Sequence, residues 1–303
     1  MKAPPFAYVR PASVAGVVEH LSRDEPDAKI LAGGQSLVPV LAMRLARPAT
    51  IVDINAVEDV PGVERRGGAL EVGATVRQRE LERHPATAAV PLLRLSMPWI
   101  GHREVRSRGT VCGSLAHGDP AAELPAVACC VEAELQIANQ QGTRTVPART
   151  FFTSAMTTVL GPAEMLTSVR FPTATAEDGY AFAEISRRHG DYALAGVTVH
   201  VRAAGDEILR ADMTAFGVSD TPVTWDAREV LRSATGAAGP DTDRRAITTS
   251  LMRDTPAIAE QLVTTSGDIH GSRGYRRRLV AALAAQELTL AYLRAVDATQ
   301  GVP

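Results

Sequence analysis

The spacing of apolar residues in the first part of the chain predicts short strands that alternate with short helices. Ser13, followed by the periodic run Val14–Leu21, predicts an amphipathic helix with its N-cap. Further helices are predicted from Thr75, as a cap, to about Arg83, from Ala89 to Leu95 and from Leu124 to Val131. Strands are predicted at 29–31, 50–54, 69–73, 134–137, 143–146 and 164–171, the fourth and fifth forming a hairpin about the turn 139–142.

The second part of the chain predicts a sheet of three antiparallel strands packed on helices. The strands are expected at 180–185, 196–202 and 208–216, and the alternation of Val197, Val199 and Val201 is the clearest two-residue period. A helix is expected to start near Asp226, and a long C-terminal helix to cover about 275–296. The polar stretch 172–179 is the best candidate for a domain boundary. Both parts therefore indicate an α+β protein.

Composition and charge narrow the class of protein. The 303 residues are 45% hydrophobic and 22% charged, as in an ordinary globular protein with ample core. A net charge of −2 argues against a nucleic-acid or anionic-membrane partner. No apolar run reaches the roughly 18 residues of a membrane span, and the N-terminus lacks a signal-peptide core. We therefore expect a cytoplasmic protein with no membrane span.

The cysteines and histidines offer no pattern for a metal centre. Cys112, Cys129 and Cys130 are the three cysteines, and none belongs to a Cys-x-x-Cys motif. The seven histidines are scattered, without His-x-x-x-His spacing. If the protein performs redox chemistry, its own cofactor must be organic, so we expect no metal ligand in this chain.

Two turns of small residues are the strongest sign of a ligand. Ala32-Gly33-Gly34-Gln35-Ser36-Leu37 lies between a predicted strand and helix, and Gly109-Thr110-Val111-Cys112-Gly113-Ser114-Leu115 lies about 75 residues later. Glycines allow positive φ and close backbone approach, and successive N–H groups can bind an anion. The two turns could clamp the pyrophosphate of a dinucleotide, although neither is a Gly-x-Gly-x-x-Gly or P-loop motif.

Several polar residues near these turns permit two interpretations. The Ser36 hydroxyl could bind phosphate, but capping the next helix is favoured. His117 and Asp119 could act as acid and base, whereas Asp119-Pro120 is equally typical of a helix start. Glu123 could face a ribose or stay idle in the first helical turn. Tyr192, in the loop 186–193, could cover a flat ring, although a polar connection with one buried salt bridge is favoured.

Three motifs in order resemble the FAD-binding medium subunit of the molybdenum hydroxylases, the family of carbon monoxide dehydrogenase and xanthine dehydrogenase. They are the two glycine turns, the second continuing through His117-Gly118-Asp119-Pro120-Ala121-Ala122-Glu123, and Ser186-Arg187-Arg188-x-x-Asp191-Tyr192-Ala193. The resemblance runs nearly end to end and includes 271–277. It implies an FAD-binding domain of the p-cresol methylhydroxylase type at 1–174, with lobes of about 1–56 and 57–174. A smaller C-terminal α+β domain with the three-stranded sheet would follow at 179–298.

The resemblance also implies which residues contact FAD, and it assigns no catalytic residue to this chain. Glu123 would lie near the ribose or adenine side, and Tyr192 near the isoalloxazine ring. The implied FAD contacts are Leu31, Ala32, Gly33, Gly34, Gln35, Ser36, Leu37, Gly109, Thr110, Val111, Cys112, Gly113, Ser114, His117, Asp119, Glu123, Leu166, Glu184 and Tyr192.

Because the chain has no cluster ligands, the resemblance implies that electrons arrive from partner chains. A small subunit would carry [2Fe–2S] clusters and a large subunit molybdopterin, in an assembly expected to be a dimer of heterotrimers. Two alternatives stay open: a stand-alone FAD oxidase that binds its own small-molecule substrate, and a scaffold module that has lost flavin.

Three positions depart from the family pattern. The family often has histidine at the position of Gln35. Cys112 replaces a glycine, which would cost about 1 kcal/mol or more if positive φ were required. Glu184 stands where the family often has lysine, and its negative charge would lower the flavin reduction potential if it points inward.

Overall fold

The computed structural model describes residues 2–23, 27–205, 207–236 and 244–300. The chain forms two compact units, and each unit is assembled from three separate segments of the sequence. Unit 1 contains Met1–Thr87, His102–Gly118 and Ala133–Pro172. Unit 2 contains Ala88–Gly101, Asp119–Glu132 and Thr173–Pro303. The chain therefore leaves unit 1 and returns to it twice before the second half begins.

Within the described ranges, short strands dominate unit 1 and longer strands occur in unit 2. In chain order the strands are β1 (Ala7–Val9), β2 (Ala28–Leu31), β3 (Thr50–Asp53), β4 (Val63–Arg66), β5 (Ala69–Gly73), β6 (Glu134–Asn139), β7 (Gly142–Pro147), β8 (Phe152–Ser154), β9 (Thr157–Thr158), β10 (Met165–Pro172), β11 (Asp178–Ile185), β12 (Ala195–Ala204), β13 (Glu207–Phe216), β14 (Val223–Asp226), β15 (Gly267–Asp268) and β16 (Gly271–Ser272).

The helices are mostly short until the C-terminal part of the chain. In order they are α1 (Val14–Ser22), α2 (Leu37–Ala42), α3 (Gln78–Arg83), α4 (Pro91–Ser96), α5 (Arg103–Arg108), α6 (Val111–His117), α7 (Glu123–Cys130), α8 (Ala148–Phe151), α9 (Arg228–Gly236), α10 (Arg244–Leu262) and α11 (Arg273–Gln300). Single 3₁₀ turns occur at Pro85–Ala89 and Met97–Trp99.

Unit 1 contains two main sheets. The first is parallel, with β3 between β1 and β2, and the second is antiparallel in the order β4-β5-β10-β6-β7. The β6–β7 hairpin confirms the turn predicted at 139–142. Because β2 and β3 run in the same direction, the residues that follow both strands lie at one edge of the sheet. That edge holds the first glycine turn.

Unit 2 is built on one antiparallel sheet in the order β11-β12-β13-β14. Val197, Val199 and Val201 pack with apolar residues of α10 and α11 in the main core of this unit. Successive strand residues point to opposite faces, and Phe216 and Phe182 pack with Ala126 of α7 on the other face. The three predicted strands are present, but the sheet has four. The fourth, β14, ends at Asp226, where sequence analysis expected only the start of a helix.

Helix α11 is long and apolar enough to cross a membrane by length and composition, and it is the one such helix among the described residues. Its apolar residues, however, include Val280, Ala284, Leu288 and Ala291, which are at most 1% exposed and pack in the core of unit 2. Burial against a sheet is typical of the central helix of a globular domain.

Of the N-caps predicted for α1, α3 and α7, the first is confirmed and the other two are wrong. Ser13 caps α1 as predicted, since its hydroxyl accepts the Gly16 N–H at 3.2 Å. Thr75 does not cap α3, which begins at Gln78, and the Gln78 N–H instead donates to the Gly109 carbonyl at 2.8 Å. Asp119 likewise does not cap α7, which begins at Glu123. Asp119 instead accepts the Ala121 N–H, two residues before α7 begins.

Candidate functional site

The first glycine turn joins β2 to α2 in unit 1 and offers free backbone donors. Gly34 has a φ of +74°, a left-handed conformation that favours glycine. Within the described part of the chain, the N–H groups of Gly33, Gly34, Gln35 and Ser36 donate no hydrogen bond. The Ser36 hydroxyl makes no capping bond to α2, so the favoured interpretation of Ser36 as a cap is wrong. The turn therefore presents a run of N–H groups and one hydroxyl.

Gly33 touches the backbone that enters the second turn. A Cβ atom on Gly33 would lie 2.4 Å from the Arg108 carbonyl oxygen and 2.6 Å from the Gly109 Cα. Gly113 lies close as well, since a Cβ there would be 3.6 Å from the Ala32 Cβ and 2.5 Å from the Thr110 hydroxyl. The two glycine turns, about 75 residues apart in sequence, thus lie side by side within unit 1, and glycine is required for that approach.

The second turn differs from the first because most of its N–H groups are already used. The Gly113 N–H donates to the Thr110 hydroxyl at 3.1 Å, which makes Thr110 the N-cap of α6. The N–H groups of Gly109, Val111 and Ser114 donate to backbone carbonyls. The second turn therefore offers shape and hydroxyl groups, and the first turn offers most of the amides that are free to bind an anion.

Cys112 fits its position without strain. It lies in the first turn of α6 and is not among the residues with positive φ. Its thiol is 2% exposed and donates to the Val72 carbonyl at 3.5 Å, and burial raises its pKa. The condition for backbone strain, a positive φ at position 112, is therefore not met. A small buried side chain is sufficient at this position.

A polar bridge that sequence reasoning missed holds the two turns together. The Arg77 guanidinium donates to the Arg108 carbonyl and to the Asn55 side-chain oxygen, each at 2.5 Å. The Asn55 amide in turn donates to the Ala32 carbonyl at 3.0 Å and to Asp53. The signal was present, because Ile54-Asn55 directly follows β3, whose parallel neighbour β2 leads into the first turn.

Replacing Arg77 with methionine should weaken FAD binding without unfolding the protein. Methionine has a similar length but cannot join the Arg108 carbonyl to Asn55, so the two turns lose about two charge-assisted hydrogen bonds. We expect an increase in the dissociation constant for FAD of about 10-fold, measured by quenching of flavin fluorescence. Arg65→Met, on the exposed strand β4, is the control. Equal FAD affinity in Arg77→Met and wild type would contradict the role of this bridge.

The other predicted FAD contacts of unit 1 lie within or next to the two turns in sequence, except Leu166 on β10. Leu166 is 4% exposed on β10, opposite Ile137 of β6. Gln35 donates to the Gly33 carbonyl at 3.4 Å, within its own turn. His117 is the last residue of α6, which ends at Gly118 in a left-handed conformation. Leu31 ends β2, Leu37 begins α2, Val111 is buried at the start of α6, and Ser114 lies within α6.

The remaining predicted residues, Asp119, Glu123, Glu184 and Tyr192, belong to unit 2. Asp119 is 8% exposed and accepts the Ala121 N–H at 2.9 Å, and Glu123 is 7% exposed at the start of α7. Tyr192 is exposed at the end of the loop between β11 and β12. Its pKa is raised by partial desolvation and by the carboxylates of Asp119 and Glu123. Those three groups therefore share one electrostatic neighbourhood.

The loop that carries Tyr192 is braced by other side chains. Arg187 and Asp191 form an ion pair at 3.7 Å, but both are substantially exposed, so the buried salt bridge favoured from the sequence is wrong. The His189 ring lies 5.4 Å from Trp99, whose ring lies 6.2 Å from Phe182. Gly190 follows His189 in this loop and has a φ of +89°, so the chain turns there. This framework leaves the Tyr192 ring free to contact a ligand.

Glu184 is buried on β11 with neither carboxylate oxygen bonded to any described residue. Burial, and then the charge of Glu123, raise the pKa of Glu184 to about 8. At pH 7 this group is mostly a neutral acid. The expectation that a negative charge here lowers the flavin potential therefore lacks its basis at neutral pH.

The donor set of unit 1 fits the diphosphate of a dinucleotide. The free N–H groups of 33–36 match phosphate oxygens, and a Cβ on Gly33 would fill the space between the turns. Among the described residues no group of three or more histidine, cysteine, aspartate or glutamate side chains is placed to hold a metal ion. These features of unit 1 are those of a protein that binds a dinucleotide through its diphosphate.

Comparison with known proteins identifies the family. Residues 4–174 match the model for the FAD binding domain in molybdopterin dehydrogenase, and residues 180–290 match the CO dehydrogenase flavoprotein C-terminal domain. The 6-hydroxypseudooxynicotine dehydrogenase complex subunit alpha of Paenarthrobacter nicotinovorans is 33% identical over 97% of both chains. The carbon monoxide dehydrogenase medium chain of Afipia carboxidovorans is 32% identical over 96% of this chain and 98% of the relative.

Solved structures agree with this result. A chain of quinoline 2-oxidoreductase from Pseudomonas putida 86 aligns with a TM-score of 0.86 and 33% identity, over 98% of this chain and 100% of that chain. The chain therefore belongs to the family of FAD-binding medium subunits of the molybdenum hydroxylases, as its motifs indicated. It is an oxidoreductase subunit with an FAD-binding domain and a CO dehydrogenase flavoprotein C-terminal domain.

Proposed function

We propose that this chain is the electron-output subunit of a molybdenum hydroxylase. Its FAD would accept electrons from [2Fe–2S] clusters on a small partner subunit and pass them to an external acceptor. The large partner subunit would carry molybdopterin and the organic substrate. The observation that carries the proposal is the pair of abutting glycine turns, with free N–H groups at 33–36, in a chain that matches medium subunits over nearly its whole length.

The residues of the first glycine turn, Glu123 and Tyr192 each have a role in this proposal. The amides of 33–36 and the Ser36 hydroxyl would bind the diphosphate, while Asn55 and Arg77 would hold the two turns in register. In unit 2, Glu123 would act near the ribose or adenine side, and Tyr192 would cover the isoalloxazine ring. Bound FAD supplies reversible exchange of one or two electrons. The protein residues bind and orient it and shape its electrostatic surroundings.

The domain bounds, the oligomeric assembly and the cellular location are also part of the proposal. We infer an FAD-binding domain of the p-cresol methylhydroxylase type at 1–174, with lobes of about 1–56 and 57–174, and a C-terminal domain at 179–298. The assembly would be a dimer of heterotrimers in the cytoplasm. Relatives named as a complex subunit alpha and as medium chains support a multi-subunit enzyme.

The test that separates this proposal from a stand-alone oxidase is whether reduction of the flavin by a substrate requires the partner subunits. The isolated chain should bind FAD, and acid should release this FAD as free flavin. Carbon monoxide, aldehydes, purines and N-heterocycles should not reduce the bound flavin. Co-expression with neighbouring genes should give an assembly with molybdenum, iron and FAD at about 1:4:1, as two [2Fe–2S] clusters require.

Two outcomes would overturn the proposal. Substrate-dependent flavin reduction by the single chain, with neither iron nor molybdenum present, would establish the stand-alone oxidase. Failure of both the isolated and the co-expressed chain to retain FAD, after reconstitution with excess FAD, would establish the scaffold module.

A further inference from the structure

The peptide group between Ala32 and Gly33 has its carbonyl held and its N–H free. The Ala32 carbonyl accepts a hydrogen bond from the Asn55 side-chain amide at 3.0 Å. Gly33 is buried, and among the described residues nothing accepts its N–H. Buried N–H groups are nearly always paired, which marks this one as a donor for a ligand. Because a trans peptide is planar, with C=O and N–H pointing in opposite directions, the bond to Asn55 also fixes the direction of the Gly33 N–H.

The glycine at position 33 leaves two orientations open to this peptide group. Reversing the peptide changes the ψ of Ala32 and the φ of Gly33, and glycine accepts a φ of either sign at little cost. The reversed peptide would present its carbonyl oxygen to a phosphate in place of its N–H, and the oxygen would repel it. The glycine itself therefore does not select the anion-binding orientation. The group that contacts the Ala32 carbonyl from outside the turn, the Asn55 side chain, does so.

Two neighbours orient the Asn55 amide. The Arg77 guanidinium, which can only donate, bonds the Asn55 Oδ1 at 2.5 Å. The Asp53 carboxylate, which can only accept, takes the Asn55 side-chain N–H at 2.5 Å and the Asn55 backbone N–H at 2.9 Å. Reversing the amide would set donor against donor at Arg77 and acceptor against acceptor at Asp53. The Nδ2 group must therefore face the Ala32 carbonyl.

Asp53 is itself held in place before any ligand binds. It ends β3, the central strand of the parallel sheet, and is 7% exposed. Its carboxylate also accepts the Tyr8 hydroxyl from the neighbouring strand β1. A hydrogen-bonded chain thus runs from β1 through Asp53 and Asn55 to the Ala32 carbonyl, entirely within unit 1. The orientation of the turn is preformed by side chains that lie outside it.

We propose that Asn55, oriented by Asp53, holds the Ala32 carbonyl and thereby directs the Gly33 N–H to the diphosphate. The inference rests on the proposed function for the identity of the ligand. It assigns to the Asn55 N–H a role that the bond between Asn55 and Arg77 does not serve. Asn55 and Asp53 are positioning residues, because they act on the ligand through the peptide group.

Asn55→Asp separates the two roles of this side chain. A carboxylate at position 55 still accepts the Arg77 guanidinium, so the bridge between the turns is kept, but it has no N–H for the Ala32 carbonyl. The peptide should reverse and turn the Gly33 N–H toward the carboxylate. Loss of one hydrogen bond to a charged group should raise the dissociation constant for FAD by about 10- to 100-fold, measured by calorimetry on FAD-free protein. An affinity within twofold of wild type would overturn the proposal.

Two further variants test whether repulsion between carboxylates is the cause instead. Asp53→Asn/Asn55→Asp exchanges the two side chains and keeps the net charge, yet no N–H at position 55 reaches the Ala32 carbonyl, so FAD should still bind weakly. Asn139→Asp makes the same change in unit 1 at an asparagine that also donates to a carboxylate, that of Glu164, at 3.2 Å. It should bind FAD like wild type. Wild-type affinity in the exchanged variant, or an equal loss in Asn139→Asp, would overturn the proposal.

Crystal structures of FAD-free protein give a readout that needs no bound flavin. Wild type should show the Ala32 carbonyl on the Asn55 amide. Asn55→Asp, or the exchanged variant if it is the more stable, should show the Gly33 N–H in that place. A peptide with the same direction in wild type and variant would overturn the proposal. Reversal of the peptide in a protein whose wild type does not bind FAD would support it and contradict only the proposed function.

Discussion

Gly33→Ala is expected to weaken FAD binding by about 10- to 100-fold. The new Cβ would lie 2.4 Å from the Arg108 carbonyl oxygen and 2.6 Å from the Gly109 Cα, so backbone rather than a flexible side chain must move. Overpacking of this kind typically costs about 1–3 kcal/mol, and each 1.4 kcal/mol changes affinity tenfold. The turns would separate, and the N–H groups of 33–36 would lose their alignment. Titration of FAD-free protein with FAD measures the effect.

Matched variants separate this effect from a general loss of stability. Gly62→Ala is the control in the same unit, because a Cβ there meets nothing within 4 Å and the residue has no positive φ. It should bind FAD like wild type. Gly34→Val should also lose FAD, since a β-branched residue rarely adopts a φ of +74°. If Gly33→Ala retains an FAD affinity within twofold of wild type, the first turn is only a connection between β2 and α2.

Gly179→Ala should destabilise unit 2 more than any exposed substitution. Gly179 lies on β11 where α11 crosses it, and a Cβ would be 2.0 Å from the Ala291 carbonyl oxygen and 2.5 Å from the Ala295 amide nitrogen. The helix must move off the sheet, at a cost of about 3 kcal/mol. For a unit of this size the melting temperature should fall by about 10 °C, measured by circular dichroism.

The control for this variant is Gly236→Ala at the end of α9, where a Cβ has no neighbour within 4 Å. Its melting temperature should match that of wild type. A Gly179→Ala protein that melts with wild type would show that α11 can shift freely over β11. Recovery of Gly179→Ala only as insoluble protein, with Gly236→Ala soluble, agrees with the expected loss of stability.

Local patterns in the sequence were sufficient to predict most of the elements. The strand at 69–73 follows from its apolar alternation, and α1 begins where Ser13 supplies a hydroxyl to the first free N–H groups. The β6–β7 hairpin follows from its polar turn. In these places the residues that decide the structure are neighbours in the chain. The glycine turns could be found in the same way, because the motif lies in one short segment.

Several failures of sequence reasoning involve contacts between distant segments, and others concern the local conformation of a single residue. Thr75 could not be excluded as a cap without knowing that Gly109 accepts the Gln78 N–H. Cys112 appeared strained because its helical conformation in α6 was unknown. Arg77 and Asn55 were missed because each is an ordinary polar residue until the parallel pairing of β2 and β3 brings it to the turns. The unpaired state of Glu184 depends likewise on the elements that surround β11.

The interleaving of the two units limits how the protein can be divided. Residues 88–101 and 119–132 precede the boundary between the two family matches, yet their helices α4 and α7 contact β11, β12 and β13 of unit 2. A fragment that ended at 174 would keep Leu92, Leu93, Leu124 and Val127, all fully buried in the intact chain, without the sheet that accompanies them. Large exposed apolar patches promote aggregation. We therefore expect that the half matching the FAD-binding family model does not fold independently.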